Sequence, residues 1–255
     1  VYWDTDHYAA KELISDRLNV IVNSPATLQQ LQLIDAANGN ASVKSISNLE
    51  GSAADIAACT RFLTPNTVVN INGGYDSIVL ASDLNVISAA YPSSINFTNT
   101  FKLAGNFSDI KKALSTPGLN INGYSPNILV NGLISPEQFA ELDALNSNGL
   151  IIIKSPVKDL FDNNGSPIDL SRYNSYCYIN NYGWGTFPPG LFVDGEITVA
   201  LLQALDAANG PAPVFADTIK GNVKSLLNSI STYGAGNANV IITDEITSEI
   251  DANNL

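Results

Sequence analysis

The sequence is poor in the residues on which most catalytic sites depend. It contains a single histidine, His7, which excludes most Ser-His-Asp arrangements. Neither Gly-x-Ser-x-Gly, nor His-Glu-x-x-His, nor a phosphate-binding loop occurs. A pair of carboxylates for glycoside hydrolysis can be drawn from Glu137, Glu141 or Glu196, but any acidic chain offers such pairs. We therefore predict a protein that is not an enzyme, with a carbohydrate-active enzyme as a remote alternative.

Long apolar runs, methionine and an excess of positive charge are also lacking. No run of about 18 apolar residues is present, so no membrane insertion is predicted. Twelve basic residues against twenty-four acidic ones give a net charge of -12, which argues against nucleic acid or an anionic membrane as partner. Because the chain has no methionine, we expect Val1 to be a processed end or the first visible residue of a longer chain. With only 14% charged residues, the surface polarity must come from Asn, Ser, Thr and Gly, which favours a secreted protein at the cell surface.

Two hypotheses fit the two cysteines, Cys59 and Cys177. One disulfide between them would close a loop of about 118 residues and contribute roughly 4 to 5 kcal/mol in the chain-entropy model. Alternatively, Cys59 lies on the apolar stripe of a helix with Ile56 and Leu63, where a buried free thiol is common. The apolar stripe favours a buried free thiol at Cys59.

What the chain does contain is a repeated segment. Residues 198–210 resemble residues 27–39, and residues 135–146 form a third copy. Each copy opens on Thr or Ser and then places apolar residues at helical spacing, which predicts an N-capped amphipathic helix. The same pattern predicts capping boxes and glycine stops at Thr27 with Gln30, Ser135 with Gln138, Gly39 and Gly210.

Short β-branched runs lie between these helices and predict strands covered on both faces, as in a parallel sheet with helical crossovers. The runs that precede a helix are 20–23, 68–72, 128–131, 191–194 and 240–243, and those that follow one are 42–46, 94–97, 150–153 and 214–216. A second short helix is predicted to begin near Gly51, Gly105, Ser155 and Gly221. The sequence therefore predicts an α/β fold, a solenoid-like repeat array of strand-helix-strand-helix units with parallel strands, each roughly 50 to 65 residues long.

No Ser/Gly or Pro linker separates the units, so we expect one continuous array. Its predicted parts are an N-terminal cap or docking segment at 1–18, repeat units one to three at 19–161, an aromatic insert loop at 162–190, and unit four with an incomplete fifth at 191–255.

The insert is the one clear interruption, and in solenoids such insertions often lie on the binding face. Its first part offers oxygen ligands around a Gly turn, which predicts a calcium site at Asp162, Asn164 and Asp169, although the spacing and closing Glu of a helix-loop-helix site are missing. Its second part is aromatic, with rings that can stack on sugars or form a protein interface, namely Tyr173, Tyr176, Tyr178, Tyr182 and Trp184. Plain packing of a long loop over the array is the alternative for the aromatic part.

An aspartate stands near the end of each repeated helix, at Asp35, Asp143 and Asp206. This position is unfavourable because the C-terminal end of a helix dipole prefers cations. Two explanations are open, a side-chain bond to the turn or a contact with calcium.

The cap, the spaced apolar residues, the Asp-Ala-x-x-Gly ending and the preceding strand together resemble the repeats of large secreted bacterial surface proteins, including cyanobacterial surface and adhesin-like proteins. The resemblance covers most of the chain, but the second unit and the aromatic insert depart from it. It implies an extracellular structural role in a surface layer (S-layer) or filament, without catalysis. The alternative is a calcium-dependent adhesin segment that binds glycans or cells.

Residues 240–247 repeat the start of a unit, with Glu245-Ile246-Thr247 matching Glu196-Ile197-Thr198. A stacked unit without its neighbour leaves an apolar face and unpaired strand groups. We therefore expect copies of the chain to associate head to tail, with residues 1–18 of one copy covering the end of the next.

Overall fold

The computed structural model describes residues 19–23, 25–39, 41–45, 47–72, 77–90, 92–97, 101–120, 126–146, 149–169, 175–179, 183–187, 190–210, 213–233 and 238–244. The chain divides into two compact units, Val1–Asn127 and Ile128–Leu255. The predicted segment 1–18 lies outside the described residues.

The first unit alternates short strands with helices. Its helices are α1 (Leu28–Asn38), α2 (Ala53–Ala58), α3 (Ala81–Ala89) and α4 (Phe107–Leu114). Its strands are β1 (Val20–Val22), β2 (Ala26–Thr27), β3 (Val43–Ser45), β4 (Asn48–Gly51), β5 (Val68–Ile71), β6 (Ser77–Leu80), β7 (Ser94–Phe97), β8 (Phe101–Gly105) and β9 (Leu119–Asn120). A five-stranded parallel sheet has the order β2-β4-β5-β7-β9, while β1 pairs with β3 and β6 with β8, also in parallel.

The second unit continues the alternation with longer elements. Its helices are α5 (Pro136–Asn146), α6 (Val199–Asn209) and α7 (Val223–Tyr233). Its strands are β10 (Asn127–Asn131), β11 (Ile151–Pro156), β12 (Ser175–Ile179), β13 (Gly183–Phe187), β14 (Gly190–Thr198), β15 (Val214–Gly221) and β16 (Asn239–Ile242). Parallel strands follow each other in the order β10-β11-β14-β15-β16, and β12 and β13 form an antiparallel pair. The predicted α/β class with parallel strands is confirmed.

The helix ends follow the predicted local chemistry. The Thr27 hydroxyl accepts from the Gln30 N–H at 3.2 Å, and the Gln30 side chain accepts from the Thr27 N–H at 2.9 Å. Ser135 and Gln138 make the same reciprocal pair at 3.2 and 2.9 Å. Gly39 and Gly210 both end their helices at a φ of 66°, in the region that glycine adopts without strain.

Two local predictions are wrong. The helix expected from Ser155 does not form, because β11 continues to Pro156 in register with Asp194, and only a short 3-10 turn at Val157–Asp159 follows. The strands are also not fully covered on both faces. In β11, Ile151 and Ile153 are buried while Ile152 is half-buried, because the helices cover only one face of the sheet.

The opposite face of the second unit carries charge pairs between neighbouring strands. Lys154 Nζ lies 3.2 Å from an Asp194 carboxylate oxygen and 5.6 Å from the centre of the Phe192 ring. Lys220 Nζ lies 2.8 Å from a Glu196 carboxylate oxygen. We call the face covered by helices the inner face and this one the outer face.

Candidate assembly surface

Strand β16 stands at the end of the strand order of the second unit and presents an apolar edge. Among the residues that the structure describes, its strand partner is β15, and Val240 and Ile241 lie beside Ile219 and Lys220. All four residues of β16 are exposed, with Val240 at 40%, Ile241 at 37% and Ile242 at 58%. An exposed apolar edge strand is a template for pairing with another chain.

The direction of the β16 backbone groups follows from one hydrogen bond. The Thr243 N–H donates to the Gly221 carbonyl at 2.9 Å, so it points towards β15. Successive residues of a strand direct their backbone groups to opposite sides in the plane of the sheet. The N–H and C=O groups of Val240 and Ile242 therefore point away from β15, where a further parallel strand would bind.

Helix α7 adds a second apolar strip beside this edge. On this helix, Leu226 and Tyr233 are buried, whereas Leu227 is 54% exposed and Ile230 is 37% exposed. Helix α7 also contacts β16 and β15. We call β16 together with Leu227 and Ile230 the trailing surface.

Polar contacts fix the start of α7, and one of them joins the helix to the chain directly after β16. At the start of α7, the Asn222 side chain accepts from the Ser225 N–H at 2.8 Å. The Asp244 carboxylate, directly after β16 and Thr243, accepts from the Val223 N–H at 2.9 Å. A carboxylate at a helix N-terminus is stabilised by the helix dipole, so this contact fixes the end of β16 against α7.

The trailing surface is almost uncharged in a strongly acidic chain. The net charge of the protein is -12, yet β16 contains no charged residue and α7 contains only Lys224. Two such surfaces could approach without strong electrostatic repulsion.

The predicted calcium residues lie on a small hairpin at Phe161 and Pro167. Oδ1 of Asp162 accepts from the Asn164 N–H at 2.8 Å and from the Ser166 N–H at 2.9 Å. These two backbone hydrogen bonds, that from Ser166 first, lower the pKa of Asp162 below 3.8. Asp169 is exposed at the base of the hairpin. The geometry gives Asp162 a structural role in the turn, and calcium binding stays a prediction.

The aromatic insert contains the antiparallel pair β12 and β13, in which Tyr178 lies opposite Trp184 in backbone register and Tyr176 opposite Thr186. Tyr173 and Tyr182 lie outside the described residues, and the structure describes only the backbone of Tyr176, Tyr178 and Trp184. The predicted glycan or protein contacts of the insert stay predictions.

The aspartates near the helix ends bond to the following element of the fold. Asp35 accepts from the Arg61 guanidinium at 2.7 Å, and Asp206 accepts from the Tyr233 hydroxyl at 3.1 Å. Burial of Tyr233 first, and then the hydrogen bond and charge of Asp206, raise its pKa above 10.0. These two aspartates thus fasten one helix to the next turn of the chain, a partner that the sequence pattern did not indicate.

A ladder of polar side chains was also missed. In the five-stranded sheet of the first unit, Glu50, Asn70, Asn96 and Asn120 follow each other in register on the same face. The Asn96 amide donates to the Asn70 side-chain oxygen at 3.1 Å. This bond joins two neighbouring strands through their side chains, as in other asparagine ladders. The Asn70-Ile-Asn and Asn120-Ile-Asn segments were the available signal.

Of the two cysteines, Cys59 carries a free buried thiol, as the apolar stripe favoured, and its sulfur accepts from the Gln32 side chain at 3.4 Å. Within the described residues, no group of three His, Cys, Asp or Glu side chains is placed to hold a metal ion. In the same part of the chain, no helix is long and apolar enough to cross a membrane.

Comparison of the chain with protein-family models, with curated proteins and with solved structures found no match.

Proposed function

We propose that this chain is an extracellular structural protein that assembles with copies of itself into a surface layer or filament and does not act as a catalyst. The observation that supports this most is the trailing surface, where β16 has one strand partner among the described residues and lies against the apolar strip of α7. The extracellular setting rests on the composition and on the resemblance to bacterial surface repeats.

We also favour the interpretation of the chain as a repeat array. Paired strands are separated by roughly 20 to 26 residues along the chain at most steps, as for Val20 with Val43 and Val68 with Ser94. The longest step, from Ile152 to Gly190, contains the insert. This regular spacing between paired strands supports stacked units of about half the length predicted from the sequence. Stacked units carry the same kind of surface at each end, which suits assembly.

The test is a comparison of the intact chain with an edge variant. Ile242→Lys places a charge on the exposed edge of β16, a change that natural proteins use to prevent strand pairing. Leu145→Lys is the control, because Leu145 is an exposed apolar residue on α5, at 40% exposure, and lies outside the trailing surface. Electron microscopy and sedimentation should show ordered assemblies for the parent and for Leu145→Lys, and only monomer for Ile242→Lys.

Two outcomes would contradict the proposal. The intact chain could stay monomeric at high concentration, with and without calcium, or Ile242→Lys could assemble as well as the parent. Melting curves of both variants would show that neither change unfolds the protein.

A further inference from the structure

Among the residues that the structure describes, strand β1 of the first unit is a second parallel edge with apolar character. It pairs with β3, and the Val20 N–H donates to the Ser42 carbonyl at 2.8 Å. The backbone groups of Ile21 therefore point away from β3, and the Ile21 side chain is 63% exposed. We call β1, with its exposed Ile21, the leading surface.

We propose that the leading surface of a second copy occupies the trailing surface, so that β1 of one copy extends the parallel sheet of the other beyond β16. This inference rests on the proposed function and names the partner of the surface described above. The occupant is a second copy because the same chain carries both kinds of edge.

The register of this contact follows from the outward backbone groups. The pair of β1 with β3 shows the rule for parallel strands. Val20 lies beside Val43, and the Val20 N–H donates to the carbonyl of Ser42, the residue that precedes Val43. By the same rule, Ile21 lies beside Ile241 of the other copy. Its N–H then donates to the Val240 carbonyl, and its carbonyl accepts from the Ile242 N–H.

The faces of the two strands agree with this register. In β1, Val20 lies beside the buried Val43, whereas Ile21 lies beside Lys44. In β16, Val240 lies beside the buried Ile219, whereas Ile241 lies beside Lys220 on the outer face. The register therefore places inner residues beside inner residues and outer beside outer, while a slip of one residue would reverse both.

The polarity of the strands favours a head-to-tail contact over a symmetric one. Two identical edges related by a two-fold axis would pair antiparallel and would interrupt the parallel order of the sheet, whereas β1 beside β16 continues it. Crossover connections between parallel strands are right-handed in nearly all proteins, so β1 and β16 leave opposite sides of their sheets open. A contact between opposite edges is heterologous and grows an open filament unless its rotation closes a ring.

Charge does not oppose this contact. Strand β1 has no charged residue, and the one charged residue of α1, Asp35, is already paired with Arg61. The exposed helical residues next to β16, Leu227 and Ile230, are apolar as well.

The experiment uses one variant blocked at each edge. Ile21→Pro removes the outward N–H of the leading surface without costing a bond to β3, and Ile242→Lys puts a charge on the trailing surface. Each variant alone should therefore lose all species larger than the monomer. Mixed in equal amounts, they should form one-to-one heterodimers and nothing longer, because one intact edge of each kind remains. Native mass spectrometry with one variant labelled with ¹⁵N distinguishes heterodimers from homodimers. Leu227→Lys, on the exposed part of the trailing surface, replaces Ile242→Lys if that strand variant fails to fold.

Each of the other results contradicts either the proposed function or the head-to-tail contact. A parent chain that does not assemble contradicts the proposed function itself. If the parent and Ile21→Pro both assemble while Ile242→Lys does not, trailing surfaces meet each other, and the head-to-tail contact is wrong although the proposed function stands. Mixed variants that remain monomeric also contradict the contact.

Discussion

Leucine 202 offers the sharpest test of the packing that supports the second unit. Its side chain is fully buried, at 0% exposure, whereas the neighbouring Leu201 on the same helix is half-buried. Leu202→Ala removes three buried carbon groups at about 0.8 kcal/mol each. The cavity left behind raises the expected loss in the free energy of unfolding to between about 2 and 5 kcal/mol.

Leu201→Ala is the matched control, because it makes the same chemical change one residue away and keeps the helix propensity equal. Urea unfolding followed by far-UV circular dichroism measures both variants. With an m value of about 2 kcal/mol per molar, a loss of 3 kcal/mol lowers the urea midpoint by about 1.5 M. Midpoints that fall equally for Leu201→Ala and Leu202→Ala would refute the assignment of Leu202 to the core.

Three further predictions concern the polar contacts. If Asp162, Asn164 and Asp169 bind calcium, the ion at a hundredfold above its Kd should add about 2.7 kcal/mol of stability, and equal melting in chelator and in millimolar calcium would refute this. Because the folded pKa of Asp162 is lowered, the stabilisation from its carboxylate should be present above pH 3.8 and lost as the pH falls further. In a pH series of melting curves, the melting temperature of Asp162→Asn should therefore fall less steeply in acid than that of the parent. Tyr233→Phe removes the hydrogen bond to Asp206 and should lower the free energy of unfolding by about 1 to 2 kcal/mol. Because the folded pKa of Tyr233 is raised, the difference between the two proteins should be full below pH 10.0 and shrink above it. A difference that does not depend on pH would contradict the role of Asp206.

The sequence by itself determined the local elements of this protein. The capping boxes of Thr27 and Ser135 and the glycine stops at Gly39 and Gly210 depend on contacts between residues about four apart or less, which a pattern in the sequence records directly. The short β-branched runs with helices between them also sufficed to predict parallel strands, since parallel strands need a crossover connection.

Only the tertiary structure decided which of these elements meet and which edges remain open. The contacts of Asp35 with Arg61 and of Asp206 with Tyr233 join residues more than 20 positions apart, and the partner depends on the strand register that stacks one turn of chain on the next. The helix predicted at Ser155 was lost for the same reason, because pairing with β14 extends the strand through it. Exposure of Ile242 and Ile21 likewise depends on which strands pair, since an isoleucine in a strand is apolar whether a neighbour covers it or not.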